Sequence, residues 1–268
     1  MPPSLVPCRG TSDIGKGLNL DPTELPDLTT GEVAAVIFDL DGIITDTASV
    51  HTRAWKSLFD GYLRDRAEET GDEFVPFGDV DYLLYVDGKP RYDGVASFLA
   101  SREIDIPYGS PDDPPDAETI CGLGNRKNGY FLESLAEDGA RVFPTSVELL
   151  ARLRSSGVAT GCVSSSNNCR YVLESVELID QFDAILDGTD AAARGLPGKP
   201  APDTYLACAR DLGVDPAEAA MVEDALSGVA SGAAGGFSHV IGVDRGAGAA
   251  QLLQAGATVV VADLGEFL

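Results

Sequence analysis

Basic residues are scarce in this chain. There are 19 Lys and Arg against 43 Asp and Glu, a formal net charge of −24. A surface of that sign repels nucleic acid and anionic lipid, which sets both aside as partners, and it favours solubility. No apolar run approaches the roughly 20 residues a membrane-spanning helix needs. Met1 to Leu20 lacks the basic patch and apolar stretch of a secretory signal. The five cysteines, Cys8, Cys121, Cys162, Cys169 and Cys208, are odd in number, scattered, and form no Cys-x-x-Cys pair. They read as reduced thiols, most of them small buried hydrophobes, and the chain as a cytoplasmic protein, expected to be monomeric. A nucleotide-binding loop is missing too. Gly10 to Gly17 nearly spells one, but Gly17 stands where a metal-holding Ser or Thr belongs, and no apolar strand precedes it. Gly122-x-Gly124 lacks both a preceding strand and a third glycine.

What is present is the composition of a globular protein, 44% hydrophobic and 23% charged, with room for one large domain or two smaller ones. Residues 1–30, rich in Pro, Gly, Thr and Asp, read as a poorly packed, flexible leader. Val33 to Phe38 is a short continuous apolar run, the mark of a strand buried on both faces of a parallel sheet. From about Ser49 to Arg66 the period becomes helical, with Trp55, Phe59 and Tyr62 on one stripe. That stripe reads first as core, with Trp55 kept as a candidate substrate contact. Residues 68–137 are looser, with helices near 93–102 and 125–136, and residues 66–80 look like an insertion.

After Pro144 strands (158–163, 182–186, 219–222, 239–243, 258–262) alternate with helices, among them 167–178 and 202–212. The alternation predicts an α/β fold, a Rossmann-like doubly wound parallel sheet, with ligands beyond the carboxyl ends of its strands. The helical stretch between the first strand and the rest reads as an inserted α-helical cap. The expected division is a core of 31–48 and 138–268 and a cap of 49–137.

Four strand ends carry the candidate chemistry. Asp39-Leu-Asp41-Gly42 follows the first strand. Two carboxylates so placed repel unless a cation or a shared proton relieves them, although the same motif also suits a surface turn. The second is Ser164-Ser165-Ser166-Asn167-Asn168, whose hydroxyls and backbone N–H groups at a helix start suit a phosphate or a plain helix cap. The third is Lys199, alone in the proline-stiffened loop Gly198 to Pro202, and otherwise an exposed lysine. The last is Glu223-Asp224, an acidic pair suited to a hard cation or to an ordinary acidic helix start.

In this order, the four features together resemble the haloacid dehalogenase superfamily of phosphotransferases over about residues 33–265. The run Asp39 to Trp55 resembles the opening of its β-phosphoglucomutase subfamily. Gly88 to Arg91 is similar to that subfamily's substrate-specificity loop and Arg126-Lys127-Asn128 to another of its cap stretches, while Tyr92 and Gly94 depart from it. The resemblance implies an aspartyl-phosphate on Asp39, with Asp41 as general acid and base and His51 beside it. Thr47, Ser164 and Lys199 complete the implied catalytic group. It also implies Mg²⁺ held by Asp39, the Asp41 carbonyl and Asp224, with Glu223 in or beside the coordination sphere. A small phosphorylated sugar is the implied substrate, contacted by Arg91 and Lys127 at its distal phosphate, with Ser165, Ser166, Asn168 and Trp55 nearby. By the same analogy the cap closes on hinges near 47–52 and 137–143. A mutase is favoured, a sugar-phosphate phosphatase is the alternative, and a non-catalytic sugar-phosphate binder is third.

Overall fold

The computed structural model describes residues 25–268, so most of the expected leader (1–30) and Cys8 lie outside the described residues. In chain order the elements begin with β1 (Ala35–Asp39), α1 (Ala48–Thr70) and a short turn α2 (Asp79–Asp81) that runs into a π-helical turn at Tyr82–Val86. Then come α3 (Arg91–Ser101), α4 (Ile120–Asp138), α5 (Pro144–Ser155), β2 (Ala159–Val163), α6 (Cys169–Ser175) and β3 (Ala184–Leu186). The chain ends with α7 (Gly188–Arg194), α8 (Asp203–Leu212), β4 (Ala219–Glu223), α9 (Leu226–Gly235), β5 (His239–Val243), α10 (Ala249–Ala255) and β6 (Val259–Val261).

The six strands form one all-parallel sheet in the order β3-β2-β1-β4-β5-β6. The predicted doubly wound α/β fold is therefore the fold of this chain. Every residue of β1 is buried, as a strand covered by helices on both faces must be. Two apolar clusters flank the sheet, one holding Val36 and Phe38 and the other Ala35 and Ile37, so the alternation of β1 supplies both. The chain leaves β1 to one side for β2 and returns to its other side for β4. That reversal puts the crevice at the carboxyl ends of β1, β2 and β4.

A third apolar cluster belongs to the inserted helices. Phe59 lies at its centre, with ring centroids 5.3 Å from Trp55, 5.0 Å from Phe77 and 4.1 Å from Phe98. The aromatic stripe of α1 is thus core, as its helical spacing indicated. The chain enters and leaves this insertion through one paired segment: Asp46 N–H donates to Arg141 O at 2.8 Å and Phe143 N–H to Ile44 O at 3.0 Å.

Several boundaries differ from the sequence reading, α4 for one beginning at Ile120 rather than near 125. The helix expected over 167–178 is only Cys169–Ser175, because hydroxyls of the serine run bond the backbone locally: Ser164 Oγ accepts from Ser166 N–H and Ser166 Oγ from Asn168 N–H. Residues 66–70 of the supposed insertion continue α1, which stops at Gly71 with φ 79°. Among the described residues no helix is long and apolar enough to cross a membrane, and the four described cysteines are buried free thiols.

Candidate active site

Asp39, the last residue of β1, is buried, and Lys199 Nζ donates to its Oδ1 at 2.5 Å. The same ammonium donates to Glu223 Oε1, also at 2.5 Å, so the lone cation expected from the proline loop bridges two strand ends. Burial pushes the Asp39 carboxyl well up, Lys199 opposes that, and the neighbouring Glu223 and Asp41 reinforce it. Burial works against the Lys199 charge, but the two carboxylates outweigh it and hold the ammonium protonated.

Glu223 is more heavily engaged than its expected place beside a metal suggests. Its Oε1 accepts from Lys199 and from the Tyr205 hydroxyl, and its Oε2 accepts from the backbone N–H of Asp224 and Ala225. With four hydrogen bonds it is built to hold Lys199 and the β4–α9 turn. Asp224 accepts no side-chain hydrogen bond among the described residues, and its carboxylate lies against Gly42. A Cβ on Gly42 would sit 1.9 Å from Asp224 Oδ2, and Gly42 has φ +88°. Oxygens of Asp39, Glu223 and Asp224 all lie within 4.8 Å of one another. Burial, then Asp87, Glu223 and Asp39, push the Asp224 carboxyl up. Crowded, partly desolvated carboxylates with unused oxygens fit a hard divalent cation, which would relieve their repulsion.

Asp41 points the other way, towards the inserted helices. Thr47 donates its hydroxyl to Asp41 Oδ1, and Ser164 Oγ lies 3.4 Å from Oδ2. His51 Nε2 is 3.4 Å from Oδ1, without the alignment of a hydrogen bond. Burial alone would raise the Asp41 carboxyl, but His51, Thr47 and Lys127 outweigh it and hold it down at about 2. Lys127 Nζ lies 2.5 Å from His51 Nδ1. An ammonium can only donate, so His51 is neutral with its proton on Nε2, facing Asp41. Burial and then Lys127 push the His51 pKa down in the same sense.

Asp39, Asp41, His51, Ser164, Lys199 and Asp224 line one chamber of about 400 Å³ between the sheet and the inserted helices. Lys127, on α4, also lines it, over the rings of Trp55 (4.8 Å) and Phe131 (5.2 Å). Burial lowers its pKa to about 7, with Asp41 opposing and Arg91 adding to the fall. Arg91, Ser165, Ser166 and Asn168 also line the chamber, and so does Trp55, which is therefore both core and wall. Asn168 Nδ2 donates across to Asn128 Oδ1 at 2.8 Å. Arg126 faces elsewhere, donating to Pro115 O. Asp87 and Tyr82 were not singled out in the sequence, yet both line the chamber. Their only sequence signal is that Asp87 immediately precedes the Gly88–Arg91 loop.

Residues 33–236 match the family described as haloacid dehalogenase-like hydrolase, and the chain belongs to it. Within that family the chain is similar over most of its length to β-phosphoglucomutases. The chain is 53% identical to the β-phosphoglucomutase of Mycobacterium bovis over 241 residues, covering 88% of this chain and 92% of that protein. It is 32% identical to the β-phosphoglucomutase of Bacillus subtilis, covering 79% and 84%. Among solved structures, the β-phosphoglucomutase of Clostridium difficile superposes with a TM-score of 0.69 at 25% identity, covering 88% of this chain and 93% of that one. Within the family the chain falls in the β-phosphoglucomutase-like subfamily.

Proposed function

We propose that the protein is a Mg²⁺-dependent β-phosphoglucomutase, a cytoplasmic enzyme that converts β-glucose 1-phosphate to glucose 6-phosphate through the 1,6-bisphosphate. One observation carries the reading. A single chamber is lined at the strand ends by an aspartate held by a lysine and, on the inserted helices α3 and α4, by the further cations Arg91 and Lys127. A hydrolase of monophosphates needs the first of these only. An enzyme whose intermediate carries two phosphoryl groups needs both.

In this reading Asp39 attacks phosphorus in line and forms an acyl-phosphate, splitting one difficult step into two. Lys199 and Ser164 neutralise phosphoryl oxygens while Glu223 keeps Lys199 aimed. Asp41 moves the proton of the sugar oxygen. With the chamber empty of substrate it is ionised, the form that accepts a proton, and an anionic phosphoryl group arriving beside it raises its pKa towards the donor form. Asp39 and Asp224, with the Asp41 carbonyl, would hold Mg²⁺, with Glu223 behind them. When bound, the ion supplies charge neutralisation for the phosphoryl group. Arg91 and Lys127 grip the distal phosphate, and the bisphosphate turns over between the two half-reactions.

The test uses β-glucose 1-phosphate with Mg²⁺ and a trace of the 1,6-bisphosphate, following glucose 6-phosphate and free phosphate together. Glucose 6-phosphate formed without matching phosphate release is the expected result. Phosphate release alone would make the protein a sugar-phosphate phosphatase.

Two further outcomes follow from the site. Gly42→Ala pushes the new methyl into the Asp224 carboxylate on a left-handed backbone. The Mg²⁺ concentration for half-maximal activity is expected to rise about 10- to 100-fold, as when supports of metal ligands are lost, and an unchanged Mg²⁺ titration would refute that placement. Lys127 is charged below its pKa of about 7 and neutral above it. In the free enzyme kcat/KM for the sugar phosphate should therefore fall as pH rises through about 7, and Lys127→Arg, charged throughout, should flatten that limb.

A further inference from the structure

Residues 87–90, between the inserted helices, are hydrogen-bonded to the sheet domain. Ser227 Oγ donates to Asp87 O at 2.8 Å, and Ser165 Oγ donates to Gly88 O at 2.7 Å. The fit leaves no spare room. A Cβ on Gly88 would meet Ser227 Oγ at 2.4 Å, and one on Gly198 would meet Pro90 Cγ at 2.3 Å. Ser227 lies in the first turn of α9, three residues beyond Asp224. Docking therefore lays the Asp87 loop directly on the turn that carries the acidic cluster.

Asp87 brings a charge with it. Like Asp224 and Tyr82, it lines both the substrate chamber and a second opening of about 550 Å³ on the other side of the cluster. Of the charges around Asp224, Asp87 weighs most, ahead of Glu223 and Asp39. Burial, then Glu223 and Asp41, push the Asp87 carboxyl up to about 7, with the Tyr82 phenol and Lys199 opposing them. Nothing in the catalytic roles above uses its carboxylate, and leaving a carboxylate beside three others is costly without a compensating charge.

We infer that Asp87 links cation binding to docking: its carboxylate opposes closure of the inserted helices on the bare acidic cluster and favours closure once a divalent cation is held there. The inference rests on the reading of Asp39 and Asp224 as the cation site. The device needs no ligation by Asp87. A like charge within roughly 10 Å at the effective dielectric of a partly buried site shifts a two-state population by at least about tenfold, and a cation between the groups reverses the sign. The cap then commits to the closed arrangement only over a loaded site.

The test is amide hydrogen exchange of the 86–91 segment in the full chain, with and without Mg²⁺, beside calorimetric titration of Mg²⁺. In the parent protein Mg²⁺ is expected to slow exchange of this segment at least about tenfold. In Asp87→Asn the segment should already be protected without Mg²⁺, and Mg²⁺ should change its exchange less than about twofold. Ser227→Ala, which removes a docking bond but no charge, should exchange faster in both conditions while keeping the Mg²⁺ effect. The inference is overturned if Asp87→Asn keeps the full Mg²⁺ effect, or if calorimetry shows binding to the parent with no change in exchange. If calorimetry shows no Mg²⁺ binding at all, the cation site itself falls, and the inference with it.

Discussion

Replacing Lys199 by Met is expected to lower both stability and activity by large factors. Lys199 is 3% exposed and is the ammonium shared by Asp39 and Glu223. Removing one partner of a buried ion pair costs about 3–5 kcal/mol, because the remaining charges stay buried without compensation. The loss of one preorganised stabiliser of the transferring phosphoryl group costs about 10²–10³ in kcat. Urea unfolding and steady-state kinetics read the two effects separately. The sign with pH is fixed as well. Asp39 is already pushed above its ordinary value, and losing the lysine pushes it further. A carboxyl whose folded pKa is raised favours the folded state when protonated, so the variant should gain stability as pH falls towards the unfolded value and lose it as pH rises. Glu223→Gln in the Lys199→Met background should recover part of the stability and none of the activity. A Lys199→Met protein as stable as the parent would mean that the buried pair does not hold the strand ends together.

Asp39→Asn is expected to separate the two properties. Activity should fall by about 10⁴-fold or more, the scale seen when a covalent nucleophile is removed. Stability should not fall, because the substitution removes one of several crowded, desolvated carboxylates and leaves Lys199 paired with Glu223. A stable protein with a dead site is the signature of a group kept for chemistry at the expense of the fold. Residual activity within about tenfold of the parent would assign the nucleophile elsewhere.

The strand ends were legible in the sequence because each ends an apolar run with groups that do not belong in a core. Asp39 after Val33–Phe38, Ser164 after Val158–Val163, and Glu223-Asp224 after Ala219–Val222 stand out for that reason. Since a parallel sheet collects its carboxyl ends along one edge, recognising the strands was enough to bring those residues together. What one end does to another was not legible. That Glu223 spends its oxygens on Lys199, Tyr205 and two backbone N–H groups depends on how α8 packs over β4, which no local pattern records. Asp87 and Ser227 lie 140 residues apart and meet only when the inserted helices dock. Trp55 shows the limit of a periodicity argument, since its spacing marks it as core and it is also a chamber wall under Lys127. The serine run misled in length alone: its hydroxyls were expected to start a helix at 167, and two of them close local turns instead.

The central claim is a phosphoryl group carried on Asp39, and trapping it tests that claim most directly. The enzyme would be mixed with Mg²⁺ and the sugar bisphosphate, quenched in acid within the turnover time, digested, and mapped by mass spectrometry. The account predicts a phosphoryl group on the peptide that contains Asp39, one that survives cold mild acid, is lost in base and is released by hydroxylamine, and is absent from the Asp39→Asn protein. Turnover with no covalent phosphoryl group, or a group found on Ser164 instead, would contradict it.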